Sequence, residues 1–396
     1  MEKKKILLLA LGHMSCDVNS GALPAALPYL RSAYGLDYQA TGGLMLAYSC
    51  LSSIIQPVFG LLADKLSKPW FLPLGVALAG CGIACMGFLS GYWAIFTAIA
   101  VSGVGAALFH PEGARHANRV SGKSKGIGLS IFSIGGNTGF ILGPLLVAAF
   151  VGGFGMKGMG VFAALSLVMA AILLVAITRL GAAAPAAQKK DAQATEAPAD
   201  GPKPVNNWHE FSRLTVVIVA RSTVFVGCNA FIPLYWVNVF GQSKAAGAVA
   251  LVIFCASGVA CNILGGMLSD RIGCVPVIRL AFSVMPLAVL AFSLAPSVAW
   301  AYACLPLLGF VLYAPFSSQV VLGQRLLARN IGFASGVTLG LATSLGGVAQ
   351  PFLGRVADMA GLPVAIRVLA GVALLGAAFS YLLSRGPESR PESREA

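Results

Sequence analysis

The sequence predicts an all-α membrane protein in which twelve transmembrane helices form two pseudo-symmetric six-helix halves. Three observations predict this fold class: the composition, a series of apolar runs, and a repeat that relates the two halves. Of the 396 residues, 57% are hydrophobic and only 10% are charged, whereas roughly 25% of residues are charged in an average soluble domain. This composition excludes an ordinary soluble protein, a disordered chain and a charge-rich coiled coil.

The apolar runs fit helices that cross a bilayer. Such a helix needs about 20 mostly apolar residues, because hydrocarbon offers no hydrogen-bonding partner to a free backbone N–H or C=O group. Twelve runs meet this requirement, and their centres lie near residues 17, 50, 80, 104, 138, 168, 225, 256, 285, 311, 342 and 373. We therefore predict a chain that crosses the membrane twelve times.

The basic residues predict the orientation of these helices. Twelve spans place both termini on the same side, and that side holds 20 of the 27 Lys and Arg residues. The opposite side holds Arg31, Lys157, Lys244, Arg355 and Arg367. The positive-inside rule then predicts that both termini are cytoplasmic, in the inner membrane of a bacterium. The net charge of +13 is scattered between apolar runs and does not indicate a nucleic-acid partner.

A polar stretch divides the chain into two halves. We expect a flexible cytoplasmic linker over residues 181–211, between an N-terminal six-helix bundle (1–180) and a C-terminal one (212–384), with a cytoplasmic tail at 385–396. The halves are related by nearly constant offsets, which pair Asp64 with Asp270, Pro28 with Pro233, Pro111 with Pro315 and Pro144 with Pro351. Such a repeat is typical of secondary transporters, whose site lies between the halves near the midplane. The alternative is coincidence among common Gly and Pro residues.

Two acidic residues lie inside apolar runs, where a charge costs about 2.5–3.5 kcal/mol on the insertion scale. Asp17 on helix 1 follows His13 by four residues, so the two side chains share a face and can exchange a proton near neutral pH. Glu112 on helix 4 shares a face with Arg115, which predicts an ion pair within the helix. His110 points nearly the other way in an ideal helix, so we do not expect it to share a cavity with Glu112.

A permanent cation lies on helix 7. The guanidinium of Arg221 keeps its proton at physiological pH, so it needs an anionic partner from the protein or from a substrate. His13, Glu112 and Arg221 lie at similar depths near the midplane. The alternative interpretation is that these groups are structural ion pairs that lock helices together. We expect His116 at the membrane interface and His209 in the linker.

Glycine and charged residues recur where helices 2 and 8 end. The two copies are Gly60 with Asp64 on helix 2, and Gly266 with Asp270 and Arg271 on helix 8. The glycine lets a neighbouring helix approach, and the aspartate can pair with cations or with helix N-termini. Because the copies occupy equivalent places in the two halves, they indicate a conformational role.

Helix 5 carries a further pattern, Gly139-x-x-x-Gly143-Pro144, for which close helix packing is the alternative explanation. With these motifs the chain resembles the major facilitator superfamily over essentially its whole length. The resemblance implies an alternating-access transporter and a helix 5 motif that antiporters of the family bear. The helix 2 copy departs from the family pattern at Lys65 and the residues after it.

More specific motifs resemble the fosmidomycin-resistance branch of that family. They are His13-x-x-x-Asp17, Phe109-His110-Pro111-Glu112-x-x-Arg115, and Gly135-Gly136-Asn137-x-Gly139. The C-terminal half matches less closely, although a basic residue on helix 7, here Arg221, is in keeping with the branch. The resemblance implies a proton-driven exporter of a small phosphonate antibiotic, and it leaves the native substrate open.

One internal similarity does not fit the repeat. Residues 56–64 (QPVFGLLAD) closely resemble residues 350–358 (QPFLGRVAD), but the two segments end on opposite sides of the membrane. We interpret the similarity as recurring helix-end chemistry rather than as a duplicated site.

The sequence thus predicts a proton-coupled antiporter that exports a small, anionic, phosphonate-like compound by alternating access. The predicted proton-coupling residues are Asp17, Glu112, His13 and His110, and the predicted substrate-binding residues are Arg221, Arg115 and Asn137. The expected partners are a small-molecule substrate, protons and the lipid bilayer. We expect a monomer without cofactor or metal, in which the nine cysteines are packing residues.

Three alternatives remain. A proton-coupled uptake symporter for a small organic anion could be built from the same residues, and the direction of the substrate-induced pH change in vesicles would distinguish it. A membrane-embedded enzyme with His110 and Glu112 as acid and base is disfavoured, because no Ser–His, metal-ligand or phosphate-loop pattern accompanies them. A sensor without transport is disfavoured, because the sequence contains no soluble signalling domain.

Overall fold

The computed structural model describes residues 2–54, 70–122, 124–180 and 205–384. Within these ranges the chain is helical almost throughout and contains no β-strand, as the sequence predicts. Its helices form twelve consecutive units. The units of the first half are α1 (Lys3–Tyr34), α2 (Tyr38–Ile54), α3 (Phe71–Cys85), α4 (Tyr92–Ser121), α5 (Lys125–Leu146) and α6 (Gly160–Leu180). Those of the second half are α7 (Trp208–Asn238), α8 (Lys244–Ile272), α9 (Cys274–Ser293), α10 (Val298–Leu326), α11 (331–360) and α12 (Leu362–Tyr381).

Two of the units are interrupted. α5 continues as a π-helical turn at Val147–Val151 and a short turn at Gly152–Phe154, and a 3₁₀ turn then leads into α6. α11 consists of Ile331–Ser335, a π-helical turn at Gly336–Leu341, Ala342–Val348 and Gln350–Ala360. Glycine, a poor helix former, is frequent at both interruptions.

The helices have the length and composition of membrane spans. Among the described residues, eight helical stretches are long and apolar enough to cross a bilayer. One of them is the continuous stretch Lys125–Ala176, which includes α5 and most of α6, and α3 is a shorter apolar helix. The chain is therefore a multi-pass membrane protein.

All nine cysteines are free.

The second half starts earlier than we predicted. α7 begins at Trp208 rather than at residue 212, so His209, which we expected in the linker, lies in its first turn. The reason is a helix cap, because the Asn207 side chain accepts a hydrogen bond from the Glu210 backbone N–H at 3.1 Å. Gly60, Asp64, residues 181–204 and residues 385–396 lie outside the described residues.

α1 and α5 pack together so closely that their main chains touch. Gly135, Gly139 and Gly143 line one face of α5, and a Cβ atom on any of them would overlap backbone atoms of α1. At Gly139, for example, a Cβ atom would lie 2.5 Å from the carbonyl oxygen of Met14. Small residues allow this approach between membrane helices. The helix 5 motif, with Pro144, thus lies at a helix contact, and its role in antiport stays a prediction.

In α8 the glycine that lies against a neighbouring helix is Gly265, one residue before the predicted Gly266. A Cβ atom on Gly265 would lie 2.5 Å from Cα of Ala314, whereas the space beside Gly266 is open. The difference arises because successive residues of a helix point about 100° apart. Asp270 and Arg271 are exposed at the end of α8, and neither forms an ion pair with any described residue.

The described chain begins and ends at one face of the bundle, which we call the terminal face. There the Glu2 backbone N–H donates to the Val120 carbonyl oxygen at 2.9 Å, which joins the start of α1 to the end of α4. In the second half the Ser384 N–H donates to the Glu210 carboxylate at 2.9 Å, which joins the end of α12 to the start of α7. We call the other side of the bundle the opposite face.

At the opposite face a carboxylate of the second half caps a helix of the first half. The Asp358 side chain, near the end of α11, accepts hydrogen bonds from the backbone N–H groups of Tyr38 and Gln39, each at 2.8 Å. These N–H groups belong to the first turn of α2, where they have no partner within the helix. The second of the two similar QPxxGxxAD segments therefore ends in an aspartate that joins the halves.

Two further contacts join the halves at this face. Nη1 of Arg31, in the last turn of α1, donates to Oδ1 of Asn238 at the end of α7 at 3.0 Å. The Lys244 ammonium at the start of α8 lies 5.0 Å from the centroid of the Tyr29 ring. The two halves are thus closed against each other at the opposite face.

Removing the Asp358 carboxylate is expected to loosen this closure. Asp358→Ala leaves the first N–H groups of α2 without their acceptor, a loss of about 0.5–2 kcal/mol. Nitroxide labels can be attached through Ala33→Cys and Gln242→Cys in a cysteine-depleted background. In Asp358→Ala, we expect pulsed electron paramagnetic resonance to detect an additional, longer distance between the two labels. Glu2→Ala, which removes an exposed carboxylate at the terminal face, is the control. An unchanged distribution in Asp358→Ala would show that this carboxylate does not hold the face closed.

Candidate functional site

The site begins with a histidine–aspartate pair on α1. The Asp17 side chain is buried, and its Oδ2 lies 3.1 Å from Nε2 of His13. The contact confirms that the two side chains share a helix face. Nδ1 of His13 donates to the carbonyl oxygen of Phe132 on α5 at 2.8 Å, since a carbonyl oxygen can only accept. His13 is therefore held between the main chain of α5 and the carboxyl group of Asp17.

α5 packs against the His13–Asp17 pair. A Cβ atom on Gly136 would lie 2.5 Å from Cε1 of His13 and 2.7 Å from Oδ2 of Asp17, so a larger residue would displace both side chains. The His13 ring stacks on the Phe132 ring, with 4.1 Å between the ring centroids. Asn137, which we predicted to bind substrate, is half-buried next to Gly136.

A second histidine contacts the same carboxyl group. Nε2 of His110 on α4 lies 3.0 Å from Oδ1 of Asp17, and its Nδ1 donates to the Ala106 carbonyl oxygen at 2.8 Å. The rings of His13 and His110 meet edge to face, with 5.2 Å between their centroids. Spacing along α4 gave no sign of this partner, because the contact depends on how α4 packs against α1. We call Asp17, His13 and His110 the Asp17 cluster.

Hydrogen counting indicates that the Asp17 cluster can hold different numbers of protons. Each oxygen of Asp17 faces one imidazole Nε2, and an ionised carboxylate can only accept hydrogen bonds. Both contacts are hydrogen bonds only when two protons are shared among the three groups, which makes the cluster positively charged as a whole. With one proton fewer, one of the two contacts brings a nitrogen lone pair against an oxygen lone pair and is repulsive. With neither proton, the cluster is negative and both contacts are repulsive.

The spacing of the Asp17 cluster also suits a metal ion, because its ligand atoms all lie within 4.8 Å of one another. The N–O distances of 3.0 and 3.1 Å, however, are those of direct hydrogen bonds. We therefore interpret the cluster as a proton site.

A polar chain extends from Asp17 towards α2. The Ser20 hydroxyl donates to Oδ1 of Asp17 at 3.4 Å, and the hydroxyl groups of Ser20 and Tyr48 are in contact. Sequence reasoning missed both residues. Ser20 follows Asp17 by three residues, so helical spacing could have identified it, whereas Tyr48 reaches the site only through the packing of α2 on α1.

Glu112 belongs to a separate cluster on α4. Its side chain is fully buried, and Oε1 accepts hydrogen bonds from Nη2 of Arg115 at 2.6 Å and from Nε2 of His116 at 2.9 Å. The predicted Glu112–Arg115 pair is thus confirmed. Nη2 of Arg119 donates to Nδ1 of His116 at 3.3 Å, so the His116 ring carries its hydrogen on Nε2 and is neutral. The buried ring of His116 thus bridges Glu112 and Arg119, and its position at the membrane interface stays a prediction.

The two buried acids therefore have different surroundings. Asp17 faces two imidazoles, each of which can be neutral or protonated, whereas Glu112 faces the Arg115 guanidinium, which keeps its charge. Oε2 of Glu112 is enclosed and has no hydrogen-bond partner among the described residues. This geometry favours proton exchange at Asp17 and ion pairing at Glu112.

The buried cation of the second half is Arg221. Its Nε donates to Oε1 of Gln319 at 2.9 Å, and its Nη1 donates to the Leu312 carbonyl oxygen at 3.0 Å, both on α10. The guanidinium carbon lies 5.0 Å from the centroid of the Phe316 ring and 5.9 Å from that of the Phe225 ring. No described carboxylate lies within 4.0 Å of Arg221. The anionic partner that we predicted is therefore not supplied by this part of the chain.

The three predicted substrate-binding residues lie on three different helices. Arg115 is bound to Glu112 on α4, Asn137 follows Gly136 on α5, and Arg221 lies on α7 in the second half. Across the described ranges, no hydrogen bond or ion pair links Arg221 to either of the other two. The site thus has two parts, a titratable cluster in the first half and a buried cation in the second.

Known proteins resemble the chain over nearly its whole length. Residues 9–351 match the model of the Major Facilitator Superfamily. The chain is 30% identical over 370 residues to the fosmidomycin resistance protein of Escherichia coli K12, which covers 93% of this chain and 90% of that protein. It is 31% identical over 382 residues to the uncharacterized MFS-type transporter YfnC of Bacillus subtilis 168, with coverage of 94% and 90%.

Solved transporter structures have the same fold. One is a bacterial homolog of the human lysosomal transporter Spinster in an inward-facing, occupied conformation, with a TM-score of 0.78 over 96% of both chains at 15% identity. Another is a mutant of the peptide transporter POT in complex with sulfate, with a TM-score of 0.79 over 96% of this chain and 94% of that one at 16% identity. At such identities the similarity establishes the fold alone.

Glu112 and Asp17 are expected to respond differently to loss of their charge. Glu112→Gln replaces the buried charge–charge contact with Arg115 by a weaker neutral hydrogen bond and should reduce the free energy of unfolding by about 1–3 kcal/mol. Asp17→Asn should have a smaller effect, because the amide can donate to Nε2 of one neutral imidazole and can accept from Nε2 of the other ring when that ring is protonated. Thermal unfolding of the purified proteins in detergent, with Asp270→Asn as a surface control, measures both. Equal destabilisation by the two variants would contradict the difference between the clusters.

Proposed function

The chain belongs to the Major Facilitator Superfamily and is a membrane transporter rather than an enzyme, and we propose that it exports a small, phosphonate-like anion in exchange for protons. The observation that supports this most directly is the Asp17 cluster, a buried carboxyl group between two imidazoles. The name of the Escherichia coli relative, a fosmidomycin resistance protein, supports export and the phosphonate class. The buried cation in the other half, Arg221, supports an anionic substrate.

The proposed proton carriers are the three members of the Asp17 cluster. Both imidazoles hold a hydrogen on Nδ1 against a backbone carbonyl oxygen, so only the Nε2 atoms and the carboxyl group exchange protons. Glu112, which we also predicted to carry protons, is proposed instead to hold Arg115 in place. Its Oε1 already accepts two hydrogen bonds, one of them from a permanently charged group.

The proposed cycle uses the closure between the halves. With both termini in the cytoplasm, contacts at the opposite face, such as those of Asp358 and Arg31, would shut the site from outside. Substrate would then load from the cytoplasm while the cluster releases a proton, and protonation from outside would displace the substrate and reset the carrier. Each ligand drives this change only if it binds the two states with different affinity. We further propose a monomer in the bacterial inner membrane.

One observation favours the alternative of a proton-coupled uptake symporter. The Asp17 cluster is positive when it holds two protons, and a positive charge in one half attracts an anion bound in the other. Electrostatics alone would therefore favour binding of proton and anion together. The two functions differ in the direction of proton movement, which an experiment can measure.

Reconstituted vesicles test the coupling. When fosmidomycin is added outside liposomes that contain the protein and a lumenal pH dye, antiport should make the lumen more alkaline, whereas symport should make it more acidic. Asp17→Asn should abolish the protein-dependent pH change, because the cluster loses its carboxyl group, while Glu2→Gln, which changes an exposed carboxylate, should retain it. Protein-free liposomes correct for passive entry of the weak acid. A normal pH change in Asp17→Asn would contradict the proposed coupling.

A further inference from the structure

The amide group of Gln319 has an unused hydrogen-bond donor. Gln319 lies on α10 with its side chain 1% exposed, and its Oε1 accepts the hydrogen bond from Nε of Arg221. Because a guanidinium can only donate, the amide must present its oxygen to Arg221 and its nitrogen elsewhere. That nitrogen, Nε2, is enclosed and has no partner among the described residues. A buried donor without an acceptor costs about 1–3 kcal/mol, so proteins seldom retain one without a use.

Arg221 adds a second unused donor next to the first. Its Nε and Nη1 donate to Gln319 and to the Leu312 carbonyl oxygen, but its Nη2 donates to none of the residues described. The guanidinium is also without a described carboxylate, so its charge is not compensated by this part of the chain. Two adjacent, bonded groups therefore have N–H groups to offer, and one of them carries a positive charge.

The unused donors fit an oxyanion better than they fit water. A water molecule could accept from Nε2 of Gln319, but it would leave the charge of Arg221 without a counter-ion. A carboxylate or phosphonate has two or three oxygen atoms that can accept from both groups, and such charge-assisted bonds are stronger than neutral ones. The rings of Phe316 and Phe225 beside the guanidinium keep water away and so strengthen the attraction.

The repeat between the halves supports this interpretation. The offset of 204 that pairs Pro111 with Pro315 also pairs Glu112 with Phe316 and Arg115 with Gln319. In the first half these two positions hold a closed ion pair. In the second half an aromatic ring stands in place of the acid and an amide in place of the cation, so nothing at these positions neutralises Arg221.

We infer that Gln319 is a substrate-binding residue, which forms with Arg221 a two-donor site for the anionic group of a small phosphonate or carboxylate. The inference rests on the proposed function, because it names the residues that would bind the exported anion. In the conformation described, the substrate must displace the neighbours that enclose Nε2 of Gln319. The apolar part of the substrate would lie against the rings of Phe316 and Phe225.

The variant Gln319→Glu tests this site. It has almost the same size, but it places a carboxylate against Arg221 and so supplies from within the protein the anion that the substrate would supply. We expect the dissociation constant for fosmidomycin, measured by isothermal titration calorimetry in detergent, to rise about 10- to 100-fold. We expect the unfolding temperature without ligand to stay equal or to rise, which would exclude misfolding as the cause.

The matched control is Gln324→Glu on the same helix. The Gln324 amide bonds to the Ser335 hydroxyl at 3.0 Å and does not contact Arg221, so this variant should bind fosmidomycin as the wild type does. Gln319→Leu should bind weakly as well, since it offers neither the donor nor the acceptor. Unchanged affinity in Gln319→Glu would overturn the inference.

Two comparisons separate this inference from the proposed function. If Arg221→Gln abolishes binding but Gln319→Glu does not, the anion site is supported and the role of Gln319 is wrong. If the wild type binds neither fosmidomycin nor methylphosphonate nor acetate, the inference is wrong together with the proposed substrate class. The proton coupling of Asp17 is then judged separately, from the proton conductance of wild-type and Asp17→Asn vesicles under an imposed pH gradient.

Discussion

A charge inside a bilayer must be neutralised, paired or hydrogen-bonded, and three buried charges of this chain meet that demand in three ways. Asp17 faces the imidazoles of His13 and His110, which can share protons with it. Glu112 is neutralised by the permanent charge of Arg115. Arg221 is held by neutral acceptors alone among the residues described. These solutions differ in how readily a small ion from outside can replace them.

The two halves hold buried charges of opposite sign at equivalent positions. Asp17 and Arg221 are 204 residues apart, the offset that also relates Pro111 to Pro315. Each lies in the first helix of its half and contacts the fourth, α4 or α10. The first half thus contributes a buried acid, and the second half contributes a buried cation. In the proposed cycle the proton and the anion thus bind to different side chains, and each displaces the other through the change of conformation.

The helices, and the side-chain pairs within one helix, could be predicted from the sequence because both depend on local periodicity. The twelve apolar runs, the Asp17–His13 pair and the Glu112–Arg115 pair were all predictable from spacing. Contacts between helices were not. His110 reaches Asp17 through the packing of α4 on α1, and Asp358 reaches the first turn of α2 across the two halves. The position of Gly265 shows the same limit, because a shift of one residue changes the neighbour that a side chain meets.

The glycine contact between α1 and α5 limits which side chains can occupy it. The two main chains touch at Gly135, Gly139 and Gly143, and His13 is bonded to the Phe132 carbonyl oxygen across the same contact. A residue with a Cβ atom at any of the three glycines would push the two helices apart. The same displacement would lengthen the bond that holds His13 beside Asp17, so the spacing of the two helices and the geometry of the Asp17 cluster cannot change independently.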